Sequence, residues 1–384
     1  MCSILYPLYR SETAGKESQM LYRKAPRVER EVSVIGLGAG SLHDSSASEQ
    51  ERAVRTALDA GVNVMDFIPS EASGFEGIVR ALRGQRDRVM LQIHIGACYD
   101  TGKYGWTVDA AKASREFEAR LRSLSTDYAD LGFIHCIDEE SDFEKVVNGG
   151  ILDYAVRQKD AGVIRHLAFS THSTSIARKF IDLGLFDWAM FSLNPMYDYT
   201  DESMYGKGEA QERMELYRAF ETAGIGVSVM KAFAGGQLLD AKESPFKHAL
   251  TRAQCIQYAL DKPAVCTVLP GVRNVADVEE LLAFLDTTAD ERDYSILGSL
   301  SPVSREGRCV YCNHCQPCPE GIQIGMVNKY YDLARQGDEL ARDHYMTLDA
   351  HASDCIRCGH CDRRCPFGVH QSERMQEIAE YFGR

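Results

Sequence analysis

Two cysteine-rich runs near the end of the chain carry the clearest chemistry. The first reads CVYCNHCQPCP and the second reads CIRCGHCDRRCP. Cysteines separated by two residues can place three thiolates around one corner of an iron–sulfur cube. Eight of the 13 cysteines fall in these runs: Cys309, Cys312, Cys315, Cys318, Cys355, Cys358, Cys361 and Cys365. The spacing therefore predicts two 4Fe-4S clusters as cofactors.

The last cysteine of each run precedes a proline, and in two-cluster ferredoxins such a cysteine ligates the other cluster. We therefore predict that Cys318 joins the first three cysteines of the second run, and that Cys365 joins those of the first. The first run has two residues before its last cysteine, where the ferredoxin pattern has three. Two alternatives are zinc, with His314 or His360 as further ligands, and disulfides, which need an oxidising compartment.

Composition narrows the class of protein. The chain has 384 residues, 45% of them hydrophobic, which is enough for one large domain and one small one. Its net charge of -13 argues against a nucleic-acid partner, because phosphates require a basic face. No run reaches the length of about 20 apolar residues that a membrane span needs. We see no signal peptide, and we expect a cytoplasmic protein.

Apolar runs alternate with amphipathic stretches from residue 20 onward, as is typical of parallel βα units. The predicted strands are Val32–Ala39, Val62–Phe67, Val89–Gly96, Ala129–Ile137, Ile164–Thr171, Trp188–Pro195, Ile225–Phe233 and Ala264–Val272. The predicted helical stretches include Ser46–Ala60, Phe143–Ala161 and Val275–Leu285. Eight strands, each followed by a helix, predict a (β/α)8 TIM barrel, with a doubly wound sheet as the alternative.

The glycines near the first strand do not form a dinucleotide-binding motif. Gly36, Gly38 and Gly40 give G-x-G-x-G, whereas a pyrophosphate loop needs G-x-G-x-x-G. We interpret them as a strand end that turns sharply. The domains that we expect are an N-terminal extension over residues 1–19, a barrel over 20–290, and a small α-helical ferredoxin-like domain with both clusters over 291–384.

Several stretches together resemble the aldo/keto reductase family, and within it the iron–sulfur branch, in which a ferredoxin-like domain follows the barrel. They are MLYRKAPRVEREVSVIGLG, GVNVMDF, DYADLGFIHCID, GVIRHLAFSTH, GIGVSVMKAFAGGQLLD, VLPGVRNVADVEELL and the two cysteine runs. The resemblance covers about residues 20 to 384 and implies the same barrel.

The resemblance also implies catalytic residues. In the family, an Asp, a Tyr, a Lys and a His at the mouth of the barrel protonate a carbonyl while a nicotinamide delivers hydride. Asp66 and His135 match the first and last of these. Glu71 stands where the tyrosine is expected and His94 where the lysine is expected. His94 ends a strand and could pair with Asp66 as a general acid or base.

Further pocket residues follow from the resemblance and from positions at strand ends. Ser170 and Thr171 lie where the family binds the nicotinamide carboxamide. Arg273 could reach a phosphate, although the nearby Asp277 favours NADH. Lys231, at the end of the seventh strand, could hold a phosphate or a carboxylate.

Tyr104, Trp106 and Tyr197 could line the substrate pocket, and Tyr104 could replace the missing phenol. Cys136, beside His135, is interpreted as a core thiol.

We expect an oxidoreductase that reduces a carbonyl or an activated double bond of a small organic substrate. Its electrons would come from NAD(P)H or from a ferredoxin-type donor. Because clusters pass single electrons and a nicotinamide passes a hydride, a flavin or a redox-active substrate would connect the two. The alternative is an isomerase or lyase in which Glu71 and His94 carry out acid/base chemistry and the clusters are structural.

Overall fold

A computed structural model describes residues 9–10, 20–68, 72–100, 103–199, 206–207, 210–299, 309, 315–335, 340–365 and 368–384. The chain begins with three short antiparallel strands, β1 (Tyr9–Arg10), β2 (Leu21–Lys24) and β3 (Glu31–Ser33). The buried guanidinium of Arg23 donates to the carbonyl oxygens of Leu260 and Val265. Val265 begins the last barrel strand, so this sheet covers the N-terminal end of the barrel.

Eight parallel strands form the barrel wall, in chain order around the sheet. With a hairpin inserted after the third of them, the strands are β4 (Leu37–Gly38), β5 (Val64–Phe67), β6 (Met90–Ile95), the hairpin β7 (Ala97–Asp100) and β8 (Lys103–Trp106), then β9 (Ala129–Ile134), β10 (Ile164–Thr171), β11 (Trp188–Ser192), β12 (Gly226–Met230) and β13 (Val265–Val268). Most of their residues are buried on both faces, as expected for a parallel sheet covered by helices.

Backbone hydrogen bonds between the first and last strands close the barrel. The amide of Gly36 donates to the carbonyl of Val268, and the amide of Gly38 donates to that of Pro270, both at 2.9 Å. A Cβ on Gly38 would lie 3.0 Å from the oxygen of Pro270. Glycine therefore allows this close approach, and a 3-10 helix starts directly afterwards at Ala39. The closed sheet confirms the predicted TIM barrel over the doubly wound alternative.

The described helices up to residue 292 belong to the barrel, and those from residue 324 onward form the C-terminal region. They are α1 (Ala47–Asp59), α2 (Glu76–Leu82), α3 (Ala110–Ser123), α4 (Glu140–Asn148), α5 (Ile151–Asp160), α6 (Thr174–Asp182), α7 (Pro195–Tyr199), α8 (Ala210–Thr222), α9 (Arg252–Leu260), α10 (Val275–Leu282), α11 (Ala289–Arg292), α12 (Ile324–Arg335), α13 (Leu340–Met346), α14 (His360–Arg364) and α15 (Gln371–Phe382). The 3-10 helices are Ala39–Asp44, Ala72–Phe75, Arg86–Arg88, Ala234–Leu239, Ala283–Asp286, Ser295–Ser299 and Ala352–Asp354.

One predicted helix is wrong in its extent. The stretch Phe143–Ala161 forms two helices, α4 and α5, rather than one. Gly149 and Gly150 separate them, and Gly150 has a left-handed φ of 96°. A residue with positive φ cannot continue a right-handed helix, so the paired glycines interrupt an otherwise uniform apolar pattern.

The described part of the C-terminal region is helical and has an apolar core of its own. Val327 and Tyr330 of α12, Ala341 and Tyr345 of α13, and Ile378 of α15 are buried in it. The barrel contributes Tyr197, and the adjacent Met196 packs against both this core and the barrel core. Within the part of the chain that the structure describes, no helix combines the length and apolar composition that crossing a membrane requires.

A buried ion pair holds α7, the short helix that carries Tyr197. Asp198 accepts hydrogen bonds from Arg213 Nε at 2.8 Å, from the Tyr217 hydroxyl at 2.6 Å and from the Tyr258 hydroxyl at 2.7 Å. The Arg213 side chain is fully buried and also donates to the carbonyl of Ser192 at the end of β11. This network therefore fixes α7 to the barrel wall.

We predict that Arg213→Met destabilises the protein by about 3 to 5 kcal/mol, because it leaves the Asp198 carboxylate buried without its cation. Arg252→Met is the matched control, since Arg252 pairs with Glu280 at an exposed site and should lose less than about 1 kcal/mol. Anaerobic urea unfolding followed by circular dichroism measures both. Equal losses in the two variants would contradict a special role for the buried pair.

Candidate functional site

Four polar side chains meet at the rim of the barrel. Asp66 lies on β5 and His94 on β6, and His135 directly follows the end of β9. The carboxyl ends of parallel strands share one rim of a barrel, which is where the active sites of such barrels lie. The fourth residue, Tyr104, comes from β8. The hairpin of β7 and β8 thus brings a phenol to three strand-borne side chains.

These side chains form a continuous row of hydrogen bonds, here called the proton chain. His94 Nε2 lies 2.8 Å from Asp66 Oδ1, and His94 Nδ1 lies 2.9 Å from His135 Nδ1. His135 Nε2 lies 2.5 Å from the Tyr104 hydroxyl oxygen. The two imidazole rings are nearly perpendicular, at 88°, and His94 stacks on the ring of Phe133. Packing therefore fixes both rings in the orientation that the hydrogen bonds need.

If Asp66 is a carboxylate and both imidazoles are neutral, only one arrangement of protons gives each hydrogen bond of the proton chain one donor and one acceptor. A carboxylate only accepts, so His94 donates from Nε2 and leaves its Nδ1 as an acceptor. His135 then donates from Nδ1, and its Nε2 accepts the proton of the Tyr104 hydroxyl. Every hydrogen bond consequently points from the phenol towards the carboxylate.

Burial controls the charge states of Tyr104 and His135, the two residues at the phenol end of the proton chain. It raises the pKa of Tyr104 well above its ordinary value, and Cys136, Tyr330 and Asp66 add to this shift. It also lowers the pKa of His135 well below its ordinary value, with His94 as the next largest cause. Tyr104 and His135 are therefore uncharged near pH 7.

The C-terminal domain covers the phenol end of the chain. The ring of His344 on α13 lies 4.7 Å from the ring of Tyr104 and 6.2 Å from that of Trp106, between centroids. The ring of Tyr330 on α12 also contacts His344, with 5.5 Å between the ring centroids. Trp106 remains 41% exposed, whereas Tyr104 is 6% exposed. Tyr104 thus lies at the junction of the two domains.

The two residues predicted to bind a nicotinamide are engaged within the barrel. The Ser170 hydroxyl accepts from the amide of Cys136 at 2.7 Å, and the Thr171 hydroxyl donates to Asp138 Oδ1 at 2.9 Å. Both side chains are buried. Their predicted role in cofactor binding stays a prediction.

The remaining predicted pocket residues are dispersed. Lys231 directly follows β12 with a left-handed φ of 62°, and Arg273 forms an exposed ion pair with Asp277, with Nε 3.0 Å from Oδ2. Tyr197 is buried in the C-terminal core, with the ammonium of Lys329 5.7 Å from its ring centroid. Glu71 lies outside the described residues. Their roles in binding or catalysis stay predictions.

A second polar group was missed by the sequence analysis. His172 Nδ1 lies 2.8 Å from Asp138 Oδ2, and the amide of His172 donates to Asp138 Oδ1 at 2.6 Å. Although burial opposes it, His172 holds the pKa of the Asp138 carboxyl well below its usual range. Burial and then Asp138 raise the pKa of the nearby Cys136 thiol. His172 directly follows Ser170 and Thr171 at the end of a predicted strand. This position at a strand end was the signal in the sequence that could have identified His172 as a site residue.

A small cavity lies between the two cysteine runs. The cysteines that line it are Cys315, Cys318, Cys355, Cys358 and Cys361. Cys315 and Cys318 of the first run thus lie beside the first three cysteines of the second run, and none of these five forms a disulfide. The assignment of Cys318 to the second cluster stays a prediction. A cavity lined by thiols suits an iron–sulfur cluster. Cys309 and Cys365 are half-buried, and Cys312 lies outside the described residues.

The fold and the site define a class of protein, a (β/α)8-barrel oxidoreductase fused to an iron–sulfur domain. The model of the aldo/keto reductase family matches residues 34–254, and that of a 4Fe-4S dicluster domain matches residues 307–369. The chain therefore belongs to the aldo/keto reductase family and carries a C-terminal 4Fe-4S domain, which confirms the resemblance seen in the sequence.

Individual relatives are more distant. Methylglyoxal reductase of Escherichia coli is 31% identical over 111 residues, which are 27% of this chain and 36% of that protein. The match thus spans about a third of that relative. An aldo-keto reductase of Bacillus halodurans in its holo form has a TM-score of 0.60 at 20% identity, covering 74% of this chain and 97% of its own. The glycerol dehydrogenase of Gluconobacter oxydans has a TM-score of 0.58 at 18% identity, covering 73% and 96%. Both structural likenesses show the fold alone.

We predict that Cys318→Ser removes one cluster, so that iron falls from about eight to about four atoms per chain. Cys255→Ser is the matched control, since Cys255 is buried on α9, outside both cysteine runs. Metal analysis of anaerobically purified protein gives the iron content directly. Unchanged iron in Cys318→Ser would exclude Cys318 as a ligand.

Proposed function

We propose that this protein reduces the carbonyl group, or an activated double bond, of a small organic substrate, and that Tyr104 protonates the product oxygen. The proton chain is the observation that carries the proposal. The family position for a phenol holds Glu71, but Tyr104 supplies a phenol from the hairpin. Its hydroxyl lies within hydrogen-bond distance of His135, the residue that matches the family histidine.

The proton chain has two forms that differ by one proton. In the form with neutral imidazoles, the Tyr104 hydroxyl donates to His135 and can accept a proton but not deliver one. Adding a proton makes His94 an imidazolium beside Asp66 and reverses the other bonds. His94 Nδ1 then donates to His135, and His135 Nε2 donates to the Tyr104 oxygen. This leaves the phenolic proton free for the substrate.

Reduction uses the second form and regenerates the first. The substrate oxygen takes the proton of Tyr104 while the carbon takes the equivalent of a hydride from the electron donor. The Tyr104 oxygen then recovers a proton from His135 Nε2, and His135 recovers one from His94 at Nδ1. Asp66 accepts the hydrogen bond from His94 Nε2 in both forms and so stabilises the charge on His94. One proton from solvent restores the chain for the next turnover.

The electrons come from NAD(P)H or from a ferredoxin-type donor. A nicotinamide supplies hydride when bound, whereas iron–sulfur clusters supply single electrons. The contact of His344 with Tyr104 supports a route through the C-terminal domain, because α13 brings the cluster domain to the catalytic phenol. NAD(P)H is supported by a family member from Klebsiella pneumoniae that was solved in complex with NADPH. A bound flavin would connect hydride and single-electron donors.

The names of two relatives suggest the substrate class. One is a methylglyoxal reductase and the other a glycerol dehydrogenase, so a small oxygenated aldehyde or ketone is the first substrate to test. The proposal also includes two 4Fe-4S clusters, supported by the eight cysteines of the two runs. It includes a cytoplasmic location, supported by the acidic composition of the chain.

An isomerase or lyase is the second candidate. It is favoured by the Asp66–His94 pair, which is a general acid/base without a redox partner. The two candidates differ in their need for electrons, since isomerisation or elimination would proceed without any external reductant.

We predict that Tyr104→Phe lowers kcat for reduction of methylglyoxal by about 10² to 10⁴, because it removes the proton that the carbonyl oxygen receives. Tyr99→Phe is the matched control, since Tyr99 stands opposite Tyr104 in the hairpin and outside the proton chain. Anaerobic assays with NADH, NADPH and reduced viologen measure turnover. Full activity in Tyr104→Phe would refute the proposed acid, and turnover without any reductant would favour the isomerase or lyase.

We also predict that His135→Ala lowers the same turnover at least about tenfold while the iron content stays unchanged, because His135 returns the proton to Tyr104 and is not among the predicted cluster ligands. His166→Ala serves as the control, since His166 lies earlier on β10 and pairs with Asp187. If turnover in His135→Ala equals that of the control, the proton chain has no role in catalysis.

A further inference from the structure

We propose that Cys136, Asp138 and His172 form a binding site for a divalent transition metal, with Zn²⁺ as the ion that fits best. Cys136 and Asp138 follow β9, and His172 follows β10, so the site lies at the same rim of the barrel as the proton chain. It uses none of the four residues of that chain and does not depend on the proposed function.

The three donor atoms converge on one point. Cys136 Sγ lies 3.9 Å from Asp138 Oδ2 and 3.9 Å from His172 Nδ1, and those two atoms are 2.8 Å apart. Zinc bonds are about 2.3 Å to sulfur and about 2.1 Å to nitrogen or oxygen. An ion among the three atoms can therefore reach all of them after a small outward shift of the His172 ring.

The geometry favours a metal over a thiol–imidazole relay. In a catalytic relay, the imidazole takes a proton on one ring nitrogen and is held by a carboxylate through the other. Here Cys136 and Asp138 face the same nitrogen, Nδ1 of His172. Because both residues point to the same nitrogen, a single metal ion between the three atoms would explain the arrangement. Thiolate, imidazole and carboxylate together select zinc over magnesium or calcium, which prefer oxygen ligands alone.

The surrounding structure holds two of the ligands in place. The other oxygen of Asp138 accepts hydrogen bonds from the Thr171 hydroxyl and from the amide of His172. Cys136 has a left-handed φ of 48°, and its amide donates to the Ser170 hydroxyl. Such outer contacts orient ligands in metal sites. Thr171 and Ser170 are therefore explained as supports of this site.

Asp138 connects the site to a surface groove. Glu139, Glu140 and Glu212 also line this groove, and Lys207 is the cation among its lining residues. Lys207 donates to Glu139 and lies 3.4 Å from the carbonyl oxygen of Asp138. The charges of Lys207, Lys231 and Lys329 also act on the three proposed ligands. Among the lining residues, the four carboxylates outnumber Lys207, so the groove itself favours a cation. On binding, the thiol proton leaves to solvent and the proton of His172 moves to Nε2.

The test uses anaerobically purified holoprotein with its full iron content, incubated with Zn²⁺ and passed over a desalting column. Wild type and Cys255→Ser should both retain about one zinc per chain in addition to iron. Cys136→Ser and His172→Gln should each bind zinc at least about tenfold more weakly, with iron unchanged. Should one variant lose iron or fold poorly, the other decides the result.

Zinc-edge X-ray absorption then identifies the ligands. One sulfur with nitrogen and oxygen neighbours is the expected shell, and it should lose its sulfur in Cys136→Ser. A shell of four sulfurs would place the zinc at the cluster cysteines and overturn the proposal. Retention of no zinc by wild type, or equal retention by all variants, would also overturn it.

Discussion

While both imidazoles are neutral, the hydrogen bond between Asp66 and His94 sets the direction of the other hydrogen bonds in the proton chain. A carboxylate only accepts, so it fixes the tautomer of His94, and that tautomer fixes His135. The phenol of Tyr104 then has one partner and one role in each protonation form. In the proposed mechanism, His94 at the family lysine position adds one ring to the proton chain, and the hairpin supplies the phenol.

The barrel explains why these side chains can meet at all. Asp66, His94 and His135 are far apart in sequence, but their strands are neighbours in the sheet and end at one rim. The register places His94 beside Phe133, whose ring supports the imidazole from below. The parallel barrel wall therefore fixes the relative positions of these three side chains. The hairpin after β6 adds the phenol of Tyr104, which the wall does not supply. The C-terminal helices then cover this group from the opposite side.

Much of the fold could be predicted from the sequence, because apolar runs and glycines are local signals. The strand ends at Asp66, His94 and His135 followed from those runs. Tyr104 was a candidate without a defined position, because the local sequence did not lead us to predict the hairpin that turns it towards His135. His344 and the Asp138–His172 pair depend on contacts between distant segments, which a single sequence does not encode locally. The break between α4 and α5 was readable in Gly149 and Gly150, but the strong apolar period on both sides obscured it.

Met196 connects the barrel core to the C-terminal core. Its side chain packs against the barrel core and the C-terminal core at once, and Tyr197 beside it lies wholly within the second. The second core also contains Cys315 and Cys361, one cysteine from each run. We expect iron bound at these cysteines to stabilise this core, so that a chain made during iron shortage would expose the apolar surface around Met196. Proteases and chaperones recognise such surfaces, so we expect the cellular abundance of the protein to follow the iron available at synthesis.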